Sequence, residues 1–207
     1  MTQVKLTKNE LRMQQIKLQQ LTRYLPTLQL KKAMLQQEVN AVLLQLEEAK
    51  KQFDDLKNAA LYTAELFQKE GMKSFFDSLQ IEKVELDIEN IAGLDVPIFV
   101  DVKFAKVAYE GANVPLWWEY GLLQMKTLIK EKERLHTIER KKRLLEKELR
   151  EVSIRVNLFE KVLIPRTVAN IKKIKIFLSD LQLSAVAQAK VAKAKIESKR
   201  KTSIGAL

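Results

Sequence analysis

Side chains that could carry catalysis or hold a metal are few in these 207 residues, and they are poorly assembled. His136 is the single histidine, set between Leu135 and Thr137 in a helical pattern. Zinc-type sites need three or four converging ligands. A lone imidazole with no cysteine or carboxylate cluster beside it reads instead as a solvated or seam-flanking residue. Paired carboxylates, the raw material of general acid–base catalysis, occur at Glu47–Glu48 and Asp54–Asp55. Both pairs sit in helical charge patterns and read as a solvated face. Neither a Gly-x-x-x-x-Gly-Lys-Ser/Thr nor a Gly-x-Gly-x-x-Gly loop is present, so no local phosphate cradle can be named. The few serines have no assignable base. With no cysteine, disulfides and thiolate sites are excluded. The expectation is a chain without catalytic residues, cofactor or metal of its own.

The elements that carry these residues are long helices. Only five glycines and four prolines interrupt the chain, and 30% of residues are charged. Lys, Glu, Leu, Gln and Ala dominate, a mixture typical of coiled coils. From about Leu6 to Lys69, Leu11, Leu18, Leu25, Val39, Leu46, Phe53 and Ala60 form one seven-residue set, broken only by Lys32. Leu21, Leu28, Leu35, Val42, Ala49 and Leu56 form a second set, offset by three. Together they make an a/d seam. A sixty-residue helix would reach about 90 Å. Pro26 should bend or locally break it.

A second seam runs from about Pro115 to Lys201. One set is Leu135, Leu149, Val156 and Leu163, with Lys142 interposed; the other is Ile138, Leu145, Val152 and Phe159. After Pro165 the frame moves by one residue, to Ile171, Leu178, Ala185 and Ala192, with Ile174 and Leu181. A proline beside a register slip predicts a change of supercoil, not the end of the helix.

Between the two lies a different texture, with Gly71, Gly93 and Gly111 and, just beyond, Gly121. Val84, Leu86 and Ile88 alternate with Glu85, Asp87 and Glu89. Ala92–Gly93–Leu94–Asp95 reads as a turn, and Ile98, Val100, Val102 and Phe104 alternate again. These predict a β-hairpin that must pack on the helices or on a partner to persist. The expected organisation is mainly α: helix 1–70, hairpin segment 71–114, and helix 115–207 with a basic tail. The helices pair as an antiparallel coiled coil, the termini share one end, and the end of the longer second helix projects.

Partner-binding candidates follow from this layout. The apolar strand residues Val84, Leu86 and Ile88 are one group. Trp117 and Trp118 open the second helix; adjacent helical aromatics point in different directions, so one packs on the hairpin segment while the other can anchor a bound protein. Apolar residues off the seam, such as Leu30, Leu43, Leu44, Leu123 and Ile154, either widen the core or meet a partner. Basic residues gather at the ends: Lys5, Lys8, Arg12 and Lys17, then Lys190, Lys193, Lys195, Lys199, Arg200 and Lys201. The Ala-rich run from Ala185 to Ile196 makes a thin helix able to enter a narrow hole. The polar start, Met1 to Lys5, lacks the apolar run of a secretory signal. No stretch approaches the roughly 18–20 apolar residues of a membrane span.

The run Arg155-Val156-Asn157-Leu158-Phe159-Glu160-Lys161-Val162-Leu163-Ile164-Pro165-Arg166 resembles the signature stretch of the D subunits of V/A-type rotary ATPases, with Ile171 and Ile174 supplying the spacing that follows it. Asn90-Ile91-Ala92-Gly93 and Val96-Pro97 are similar to that family's hairpin segment. The resemblance covers essentially the whole chain. It implies a central rotor shaft that couples ATP turnover to proton or sodium transport, with nucleotide and metal bound elsewhere. The implied partners are the catalytic-ring A and B subunits around the double-terminus tip, the small F subunit of the stalk near the hairpin, and the funnel-shaped subunit capping the membrane rotor ring. The implied place is peripheral, on the cytoplasmic side of the membrane, with no nucleic acid bound.

The net charge of +11 leaves other readings open. A membrane-surface module would bind acidic liposomes. A nucleic-acid-binding coiled coil would hold duplex with steep salt dependence.

Overall fold

The computed structural model describes residues 4–64, 72–105 and 117–204, with side chains throughout except at 63–64, 72–74 and 199–204. Gly71, Gly111 and the predicted helix start at Pro115 lie outside the described residues, as do the side chains of Lys199, Arg200 and Lys201. Along the chain come α1 (Lys8–Ala64), a short α2 (Met72–Asp77), β1 (Ile81–Ile91), β2 (Leu94–Phe104) and α3 (Trp118–Leu158). A π-helical turn, Phe159–Leu163, leads directly into α4 (Ile164–Ile204). The architecture is mainly α with one central antiparallel hairpin, as the heptads and the alternation predict.

Compactness groups the chain into two units, residues 30–153 and residues 1–29 with 154–207. In the first unit, the helical part of residues 30–64 runs antiparallel to α3: Lys31 pairs with Glu148 at 2.7 Å, while the later Gln52 meets the earlier Arg134 at 3.2 Å. Every predicted seam position here is buried or half-buried. Leu35, Val42, Leu145 and Val152 are essentially sealed from water. Lys32 and Lys142 sit half-buried in the seam, where a long aliphatic stem covers apolar surface and the ammonium reaches water.

The hairpin completes this unit. Its turn has two residues, Ala92 (φ 51°) and Gly93 (φ 80°), shorter than the four-residue turn read from sequence, and both strands are correspondingly longer. Positive φ at both central positions matches a type I′ turn, whose twist suits the strands it joins. Asn90 braces it: its Oδ1 accepts from the Gly93 N–H at 3.1 Å and its Nδ2 donates to Asp95 at 2.6 Å. The register shifts between Ile81 and Lys83, leaving Glu82 as an extra residue on β1, and between Glu85 and Leu86, leaving Val100 as an extra residue on β2. Such bulges bend and twist a ribbon.

In the second unit, α1 opens on Thr7, whose Oγ1 accepts from the Glu10 N–H at 3.2 Å, an N-terminal cap in a Thr-x-x-Glu pattern. The helix continues unbroken through Pro26. Pro26 and Thr22, whose carbonyl loses its donor, are both exposed, so water takes over the lost hydrogen bond and no local break is needed. On the C-terminal side the register slip has a visible cause. Continuing the spacing of Val156, Phe159 and Leu163 would bring Arg166, Asn170 and Lys173 onto the seam. The buried residues are instead Thr167, Ile171 and Ile174. The π turn, where the Ile164 N–H donates to the Phe159 carbonyl, takes up the one extra residue and keeps the apolar stripe on one face.

Candidate functional site

Three described surfaces hold the predicted partner-binding residues, and the chain treats them differently. On the hairpin, cross-strand pairing places Val84, Leu86 and Ile88 on one face with Val102, Phe99 and Pro97. Val84 is half-buried, whereas Leu86 is exposed and Ile88 is 70% exposed. The other face carries Ile91 and Val96, both buried. Ion pairs from α3 fasten it: Lys141 to Glu89 at 2.9 Å and Lys130 to Asp101 at 2.8 Å. The Lys126 ammonium lies 5.3 Å from the Phe104 ring centre, within cation–π range. The Lys130 hydrogen bond, helped by the Val102 backbone N–H, holds the Asp101 carboxyl below its ordinary range, and Glu85 raises the Lys103 ammonium above its own. Toward the strand ends far from the turn the Val84 face is covered too, with Val102 buried, but nearer the turn Leu86 and Ile88 stay exposed and available.

Trp117 and Trp118 meet Phe75 of α2, each with ring centres 5.4 Å apart, and lie 6.0 Å from one another. Trp118 is buried and packs as core; Trp117 is half-buried. Beside this cluster, Phe76, Tyr120 and Leu123 are exposed. The sequence marks the tryptophans as anchors and gives no such signal for Phe76 and Tyr120. Only the placement of α2 against the start of α3 reveals them.

On α4 the seam ends at Leu178. From Ser179 to Ser198 every residue is exposed, including the predicted Ala185, Ala192 and Leu181 seam positions and the cations Lys190, Lys193 and Lys195. Leu183, Val186, Val191 and Ile196 are also exposed there. Apolar side chains in such number on an unpacked helix need a surface to cover them.

Among the described residues no catalytic groups converge. His136, Glu47, Glu48, Asp54 and Asp55 are all exposed. Among the same residues no three His, Cys, Asp or Glu are grouped to hold a metal, and no helix is long and apolar enough to cross a membrane.

The family model of the ATP synthase D subunit matches residues 10–194. Among curated proteins, the chain is 41% identical over 203 residues to the V-type ATP synthase D subunit of Chlamydia caviae, covering 98% of both chains. It is 42% identical over 196 residues to that of Chlamydia pneumoniae, covering 94% of both. It is 40% identical over 200 residues to that of Chlamydia trachomatis serovar L2, covering 95% of this chain and 97% of the relative.

Proposed function

The chain belongs to the ATP synthase D-subunit family, a non-catalytic stalk component of a rotary ATPase, and on that premise we propose how its surfaces divide the work. The stretch Ser179–Ser198 enters the ring of catalytic A and B subunits. Its helix is thin, because Ala recurs from Ala185 to Ala194, and Lys190, Lys193 and Lys195 let it turn against polar or acidic collars without one deep electrostatic well. Lys199 and Arg200 extend the same basic run in sequence. Leu86 and Ile88, with half-buried Val84 beneath them, receive the small F subunit of the stalk. The aromatic surface around Trp117, with Phe76, Tyr120 and Leu123, docks the funnel-shaped subunit that caps the membrane rotor ring. The three stretches 1–70, 71–114 and 115–207 thus form two helical arms and a docking segment, on the cytoplasmic side of the membrane.

Coupling works through unequal binding. A stalk shifts the ring among its conformations only if each orientation binds the alternative states with different affinity. The stalk supplies that difference through its asymmetric surfaces, with no chemistry of its own.

The observation that carries this reading is the exposed apolar and basic helix from Ser179 to Ser198. Truncation after Leu181 tests it. The expected result is an assembled complex whose ATP hydrolysis no longer drives ion transport. Coupled turnover and pumping at the full-length level would remove that helix from the role. Copurification from native membranes supplies the broader check, since absence of the other ATPase components would overturn membership of the working complex.

A further inference from the structure

We propose that the π turn Phe159–Leu163 together with Pro165 forms a compliant joint, a place where the helix twists and opens more readily than its flanking turns while the buried seam stays closed. Its mechanical meaning rests on the stalk reading above; its existence does not.

Three observations converge on this short stretch. The Ile164 N–H reaches back five residues to the Phe159 carbonyl, so the donor that would serve Glu160 in a regular α-helix is directed elsewhere. Pro165 has no N–H and cannot serve Lys161, its partner in a regular ladder. Two successive carbonyls thus lose their regular donors, and both residues are exposed. No residue of the π turn is fully buried; Phe159 and Leu163 are half-buried and the three between them exposed, so local opening costs less apolar contact than at the buried positions on either side. On either side the seam is tight: Val156 before it, and Thr167, Ile171 and Ile174 after it, are all buried. Thr167 also donates its hydroxyl to the Leu163 carbonyl at 2.7 Å, which closes off the loosened stretch downstream. Rotation can therefore be absorbed over Glu160 to Arg166 without unzipping the pair. In a stalk loaded by torque, the weakest part of the ladder yields first.

Amide hydrogen exchange on the free, full-length wild-type chain tests the joint itself. The non-proline amides from Val162 to Arg166 should exchange about ten-fold faster than those of Ile171–Ile174, the factor expected for roughly one net backbone hydrogen bond. Equal protection in the two stretches would overturn the proposal. The mechanical role is tested in the assembled ATP synthase with Pro165→Ala combined with deletion of Lys161, which restores a regular ladder. A bead on the stalk should then show narrower angular fluctuation during pauses than with the wild-type chain. Unchanged fluctuation alongside slowed exchange would overturn the mechanical role alone. A stalk that does not rotate at all would overturn the stalk reading and the mechanical role with it, while fast wild-type exchange would still support the joint.

Discussion

Deleting one residue at two nearby places in the same helix should have opposite consequences, and the π turn decides which. The first variant lacks Lys161, an exposed residue within the turn; the second lacks Lys173, an exposed residue between Ile171 and Ile174. Both are built on Pro165→Ala, because a proline drawn into a regular α ladder costs about 3 kcal/mol by itself. Without Lys161 the extra residue is gone, the turn becomes α-helical, and Val156 and Phe159 continue in phase into Thr167, Ile171 and Ile174, with Ile164 in the seam position that Leu163 now holds. Without Lys173 the downstream helix turns by about 100°, carrying Ile174, which is fully buried, and Leu178 off the seam. If that helix instead surrenders its π turn, Thr167 and Ile171 leave the seam in their place. Either way one buried isoleucine and a neighbour are exposed, a loss of about 2–4 kcal/mol from burial and the space left behind. Against a usual stability of about 5–15 kcal/mol this is a large change. Urea denaturation followed by far-ultraviolet circular dichroism reads it directly. The Lys161 deletion should match its Pro165→Ala parent, and the Lys173 deletion should unfold at clearly lower urea. Equal destabilisation by the two deletions would refute the view that the π turn corrects the phase of the seam.

Other expectations follow from single positions. Leu145→Ala, at a site fully sealed in the seam, should cost about 2–5 kcal/mol, whereas Leu44→Ala on an exposed face should stay within about 0.5 kcal/mol; the same urea titration compares them. Ala92→Gly should stabilise the hairpin by about 1 kcal/mol because an L-residue at φ 51° is strained, measurable as slower amide exchange in both strands. Leu86→Asp with Ile88→Asp should weaken capture of the small F subunit in a pull-down while leaving the helical circular dichroism signal intact; undiminished capture would take the hairpin out of that role. Because Lys130 lowers the Asp101 carboxyl below its unfolded value, its contribution to stability is present above the unfolded pKa and fades as pH falls through the folded one. In Lys130→Met the Asp101 carboxyl should titrate nearer the ordinary carboxylate range, as seen by nuclear magnetic resonance.

Much of this protein is decided locally, and that is why it can be read from the chain. A heptad seam needs only the repeat of Leu35, Val42 and Ala49 against Val39 and Leu46, since helical periodicity alone brings those side chains to one face. Alternation on either side of a turn read at Ala92–Asp95 specifies a hairpin for the same reason, although the turn itself occupies only Ala92 and Gly93. The absence of catalytic chemistry was also legible, because one histidine and no cysteine leave little to assemble. Tertiary structure decided what periodicity cannot. Whether Pro26 breaks its helix depended on where its orphaned carbonyl points. The one-residue slip near Pro165 was visible as a pattern, but its cause, a π turn, lies in backbone hydrogen bonding. Trp117 and Trp118 looked alike in sequence, and Phe75 lies equally close to both; only packing in three dimensions seals Trp118 while Trp117 stays half-buried and Phe76 and Tyr120 stay exposed. The exposed helix beyond Leu178 continues the same apolar repeat as the seam before it, so its sequence predicts burial and exposure equally well. The difference is whether another helix lies alongside, and that is a property of packing in three dimensions.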